Sequence, residues 1–202
     1  MWPLRLGMQL GLFQLSLGIL GVLILGLQNR LLIQDIQLPA VLAALAVGGE
    51  QLMGFTRAWF GHRSDRIPPS RLRRTPFIVI SSFAIALLFG VACQLVLRLA
   101  TSMEASGGEL DVLLIGLLIL AFVAIGTAIA AGGTAFSALI ADRTTEAERP
   151  QVLSVVWGMR LLGVLLGSVL VNQVFGSACA ADASRTAVLA GLQRLSLVTP
   201  LV

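Results

Sequence analysis

The residues able to do chemistry fall in three places. The first is a charged loop that reads Gly61-His62-Arg63-Ser64-Asp65-Arg66 and continues through Arg71, Arg73 and Arg74. Gly61 permits a tight turn, and Asp65 can sit at a helix end and accept backbone or guanidinium hydrogen bonds. Pro68-Pro69 stops helix propagation, and the arginines suit anionic headgroups. The second is a shorter loop in which Asp142 closes one long apolar run and Glu146, Glu148, Arg149 and Pro150 lead into the next. The third is a pair of isolated charges inside apolar runs, Glu50 and Arg160. No nucleophile–base constellation, metal-ligand spacing or phosphate loop is present, so no catalysis and no metal site are expected. Cys93 and Cys179 read as single buried thiols, and His62 is the only histidine.

The elements that must position these residues are membrane helices. The chain is 57% hydrophobic and 12% charged, with a mean hydropathy of +0.93. A soluble domain carries about 25% charged residues. Half that charge leaves too little polar surface to dissolve a compact globule, which excludes an ordinary soluble enzyme, a disordered chain and a disulfide scaffold. The net charge is +4, from arginines alone. These sit between apolar runs, so they read as topology determinants and not as a nucleic-acid footprint; no nucleic-acid partner is expected.

A bilayer core of about 30 Å takes about 20 helical residues per crossing. Five runs meet that length: Leu6–Leu27, closed by Gln28-Asn29-Arg30; Ile36–Phe60, interrupted by Glu50 and Arg57; Pro76–Leu97, stopped near Arg98; Val112–Ala141; and Val152–Phe175, interrupted by Arg160. The first is longer than a signal-peptide core and is expected to be a mature crossing. A sixth run starts near Ala187 and reaches Val202, broken by Arg194. Strands are not expected, because the runs lack the alternation of a membrane β-barrel. The fold class is therefore an all-α polytopic helix bundle, one transmembrane domain over residues 1–202, with five helices and the start of a sixth.

Short-loop charge sets the orientation. Arg5, the arginines of the 61–74 loop, Arg143 and Arg149 fall on one side if five helices alternate, and that side is expected to be cytoplasmic together with the N-terminus. The 98–111 and 176–186 loops are expected on the far side.

Glu50 and Arg160 lie at similar depth, so an ion pair between them is geometrically open. It would be either an interhelical clamp or a polar site for a ligand or proton. Gly126, Ala130, Gly132, Gly133, Thr134 and Ala138 form a small-residue face, and Gly158, Gly163 and Gly167 form another. Both read first as close helix packing, with room for a flat ligand as the alternative. Trp2, Trp59 and Trp157 read as interfacial anchors.

The two charged loops resemble the loop 2–3 and loop 4–5 elements of the major facilitator superfamily. In that superfamily such charges form a cytoplasmic latch. The resemblance implies a latch of Gly61, Asp65, Arg66, Arg73, Arg74, Asp142, Glu148 and Arg149, with Arg66 on Asp142. Three stretches are similar to one branch, the PucC/LhaA family of phototroph membrane proteins. They are Leu25–Ile33 with Leu38-Pro39-Ala40, then Phe55–Asp65 with Arg73–Ile78, then Thr134–Asp142 with Glu148–Val152.

That family implies about twelve helices, of which this chain would be the N-terminal half. It also implies a role in assembling chlorophyll-binding light-harvesting or photosystem complexes, or in handling pigment, within a thylakoid or photosynthetic inner membrane. Partners would be membrane lipids and antenna or photosystem subunits, and cofactors would be chlorophyll with carotenoid or lipid. Chlorophyll magnesium takes an axial His, Asn, Gln, Glu or water, which makes His62, Gln14, Asn29, Gln94 and Glu50 the candidate ligands. A major-facilitator-type small-molecule transporter and a structural subunit of a pigment complex are the alternatives.

Overall fold

The computed structural model describes residues 2–66, 74–105 and 111–175, and every element among them is a helix. α1 (Trp2–Gly21) runs on through two widened, π-helical stretches, Val22–Gln28 and Leu31–Asp35. α2 (Ala40–Leu52) and α3 (Thr56–Asp65) are joined by a 3₁₀ turn at Met53–Phe55. α4 (Thr75–Ala105), α5 (Val112–Arg143) and α6 (Arg149–Phe175) complete the chain. Four helical segments, Leu4–Ile33, Thr75–Met103, Val112–Arg143 and Arg149–Gln173, are long and apolar enough to cross a membrane.

Local chemistry explains where several helices start and stop. Asp111 caps α5, its carboxylate accepting from the backbone N–H groups of Leu113 (3.0 Å) and Leu114 (3.2 Å). Inside the apolar helices, hydroxyls bond back to the preceding turn, as Thr127 does to the Val123 carbonyl and Thr134 to the Ala130 carbonyl. A Ser or Thr is thereby satisfied without water. Between the first two membrane segments the chain turns at Gln37, whose φ of 59° places a non-glycine residue in the left-handed region. Pro39 follows, and its carbonyl accepts the first bonds of the next helix, from Leu42 and Ala43.

Three boundaries differ from the sequence reading. The polar Gln28-Asn29-Arg30 does not close the first helix, which reaches Asp35. The reason is that Gln28 is fully buried and turned against Cys93 of α4, so its polarity faces protein and not the membrane edge. Arg98 does not stop the third segment, since it projects outward from a helix that continues to Ala105. The expected second crossing is helical but broken: α2 has 13 residues and α3 has 10, each too short to cross a bilayer alone. Together they lie along α5, with Ala43, Ala46 and Val47 in the same buried cluster as Leu118 and Phe122, and Gly61 beside Thr134. The sixth run, Cys179, Arg71 and Arg73 lie outside the described residues.

The helices pack in two groups. α1 runs parallel to α6: Gly7 lies against Val155, and Gly167 against Ile19, where an added Cβ would come within 3.1 Å of the Ile19 backbone. A Cβ on Gly18 would strike the Arg160 carbonyl oxygen, and one on Gly163 the Leu15 carbonyl oxygen. The second small-residue face is therefore a packing seam at Gly163 and Gly167, whereas Gly158 faces open space. α4, α2 and α3 pack on α5 around a core that includes Ile24, Leu32, Phe89, Val96, Leu118 and Phe122. On the first small-residue face, Gly132 is pressed by Ser81 and Phe13, while a side chain at Gly133 would meet nothing. Phe13 on Phe136, ring centroids 5.2 Å apart, ties the two groups together.

Candidate functional site

Polar contacts gather at three points of this frame. At the end where α4 begins and α5 ends, Arg74 Nε donates to Asp142 Oδ2 at 2.7 Å. Arg74 is buried and Asp142 is half exposed. The pair sits at the same end as a small apolar cluster of Phe136, Ile140, Val152 and Val156. Next to it, Thr145 and Glu148 hold the turn that leads into α6. The Glu148 carboxylate accepts from the Thr145 hydroxyl at 2.8 Å and from its backbone N–H at 3.4 Å. Arg149 opens α6, and its Nε is buried without a hydrogen-bond partner.

The arginine on Asp142 is thus Arg74 and not Arg66, which stays exposed past the end of α3. Burial decides between them. Arg74, just before α4, is buried, where a charge needs a carboxylate, while Arg66 is solvated and needs none. Gly61 does not make a turn: it is inside α3 and faces α5, where an added Cβ would lie 3.4 Å from the Thr134 methyl. His62 is exposed in the last turn of α3. The side chain of Asp65, and Arg73 altogether, lie outside the described residues.

At the middle of α6, Arg160 Nη1 donates to the Gln14 side-chain oxygen of α1 at 3.1 Å, and its guanidinium stands 5.6 Å from the Trp157 ring centre. Arg160 is eleven residues into α6, or about 16 Å along its axis. Glu50 is on α2, which packs on α5, whereas α6 packs on α1. The Glu50 side chain lies outside the described residues, and the contacts that hold Arg160 are those to Gln14 and Trp157.

The third point is Gln28. Its Nε2 reaches Cys93 Sγ at 3.4 Å, and its Oε1 is buried with no hydrogen-bond partner. Sequence reading missed it because a Gln-Asn-Arg run after 22 apolar residues looks like a membrane edge. The signal that could have found it is the apolar run resuming at Leu31 and Leu32, both buried. Of the other candidate ligands, Asn29 is half-buried between the two π-helical stretches and Gln94 is exposed on α4. Gln14, His62 and Gln94 belong to α1, α3 and α4, and Asn29 to the stretch that extends α1.

A bundle of long apolar helices, tied among the described residues by the Arg74–Asp142 ion pair, a mid-helix arginine and glycine seams, defines the class: a polytopic α-helical membrane protein. A family model described as PUCC protein matches residues 27–200, and the chain belongs to that family. It is 33% identical over 182 residues to an uncharacterized protein in the puhA-bchM intergenic region of Rhodobacter capsulatus, covering 84% of this chain and 35% of that one. It is 31% identical over 157 residues to the bacteriochlorophyll synthase 44.5 kDa chain of the same species, covering 77% and 34%. It is 26% identical over 178 residues to Protein PucC, also of Rhodobacter capsulatus, covering 82% and 36%. The aligned part spans about a third of the length of these relatives. No solved structure matches the chain.

Proposed function

We propose that this protein works in a photosynthetic membrane, associating with chlorophyll-binding light-harvesting or photosystem subunits and assisting their assembly. The observation that carries this reading is membership of the PUCC family across residues 27–200. A relative described as a bacteriochlorophyll synthase chain supports it. The outward faces of the helices support it further. Phe83 and Leu87 on α4, and Leu161 and Leu165 on α6, are well exposed and apolar, a surface suited to lateral contact with lipid and with other membrane helices.

In this reading the protein is not an enzyme. The charged end carrying Arg74, Asp142, Glu148 and Arg149 faces the cytoplasm and fixes the helix ends, as the latch of a major-facilitator-like half would. Bound chlorophyll, with carotenoid or lipid, belongs to the same proposal. His62, Gln14, Asn29, Gln94 and Glu50 are its candidate ligands.

The test is affinity purification of the tagged chain from its native membranes in mild detergent, followed by an absorption spectrum and identification of the associated subunits. The expected result is a pigmented complex containing antenna or photosystem subunits. A colourless protein free of such subunits would overturn the reading.

A further inference from the structure

We infer that the outward stripe of α6 centred on Arg160 is a docking surface for a transmembrane helix that carries a carboxylate at mid-bilayer depth. This goes beyond the proposed function and does not rest on it, because it follows from the charge and its setting alone.

Trp157, Arg160, Leu161, Val164 and Ser168 follow the three- and four-residue spacing of one helix face. Trp157 is 55% exposed and Leu161 is 65% exposed, so the stripe is open to the surroundings of the bundle. The adjoining face of α6, with Gly163 and Gly167, is occupied by α1. Arg160 lies on the border between the two. One guanidinium N–H is taken by the neutral Gln14 oxygen, and the ring of Trp157 flanks the cation. Among the described residues no carboxylate pairs with it.

A guanidinium has five N–H donors in a planar fork that matches a carboxylate with two parallel bonds. Among the described residues, one amide oxygen and one ring face leave most of that fork without an acceptor. Counted from Val152, where the apolar run begins, the group is eight residues, or about 12 Å, into a core about 30 Å thick. Snorkelling to a phosphate works near helix ends. Here the bond to Gln14 holds the head inward at mid-helix, where only another membrane-embedded group can meet it. Intramembrane charges face protein and pair with one another. The complementary partner is therefore an Asp or Glu at the middle of an apolar helix, laid along the stripe with Trp157 and Leu161 against its flanks.

The purified full chain, carrying a donor dye on E146C, would be placed in zwitterionic lipid vesicles. It would be mixed with acceptor-labelled apolar transmembrane peptides identical except for a central Glu, Gln or Leu. The Glu peptide is expected to associate at least about tenfold more tightly than the Leu peptide, with Gln between them. R160Q is expected to bring the Glu peptide down to the Leu level, and R160K to keep part of the preference.

Equal association of the Glu and Leu peptides, or a Glu preference that survives R160Q, would overturn the inference. Loss of the Glu preference on adding phosphatidylglycerol would assign the arginine to lipid phosphate, and Arg160-dependent dimers without peptide would assign it to a second copy. Either result overturns the proposed occupant. Where R160Q fails to fold, the Glu, Gln and Leu series on the unaltered protein decides alone.

Discussion

Arg74 and Asp142 show how burial decides between two arginines of one loop, Arg74 and Arg66. A buried guanidinium without a carboxylate is strongly destabilising, so the buried Arg74 takes the acid and the solvated Arg66 does not. D142A is expected to lower stability by about 1–3 kcal/mol, read as a lower melting temperature of the detergent-solubilised protein. R66A is expected to stay within about 0.5 kcal/mol. A larger effect from R66A than from D142A would restore Arg66 as the partner. Gln28 gives a prediction of opposite sign. Its buried Oε1 has no hydrogen-bond partner, so Q28L removes an unsatisfied group and is expected to leave the melting temperature unchanged or raise it. Q28A opens a cavity and is expected to cost about 2 kcal/mol or more. A marked loss of stability in Q28L would mean that the amide makes a bond worth more than the orphan oxygen costs.

At the scale of elements, glycine position separates seams from open faces. Gly163 and Gly158 belong to the same helix and looked alike in sequence, yet only Gly163 meets another backbone. G163A is expected to push α6 off α1 and cost about 1–3 kcal/mol, while G158A is expected to be neutral or to gain a few tenths through helix propensity. Equal melting temperatures for the two variants would argue against the seam. The turn at Gln37 is a second such case. A non-glycine residue in the left-handed region costs about 1–2 kcal/mol. Gln37 is exposed, so Q37G is expected to raise the melting temperature slightly, offset in part by the greater freedom of glycine in the unfolded chain.

For the whole molecule the decisive question is which end faces which compartment. The ends of α3 and α5 lie with the starts of α4 and α6, as the Arg74–Asp142 pair requires. Positive charge concentrated there predicts a cytoplasmic face. Cysteines introduced at His62 and Glu146 are expected to react with a membrane-impermeant thiol reagent only from the cytoplasmic side of sealed vesicles, and one at Ala105 only from the other. Labelling of all three from one side would mean that α4 and α5 do not cross the membrane.

The sequence by itself determined the class, because composition and run length answer to the solvent: 57% apolar residues in runs of 20 or more can be buried only in lipid and can cross it only as helices. It also carried the motifs that mark the family, since they are contiguous stretches. It did not determine which polar residues turn inward. Gln28 read as a membrane edge and became part of the core, Gly61 read as a turn and became part of a helix facing Thr134, and Arg66 read as the partner that Arg74 turned out to be. Each of these depends on what another helix places opposite, at sequence separations of 65 to 73 residues. Arg160 depends on a contact 146 residues away in sequence, with Gln14. Spacing along one chain records the face of a helix but not its neighbour, and only the packing of α1 on α6, and of α2, α3 and α4 on α5, decided those pairings.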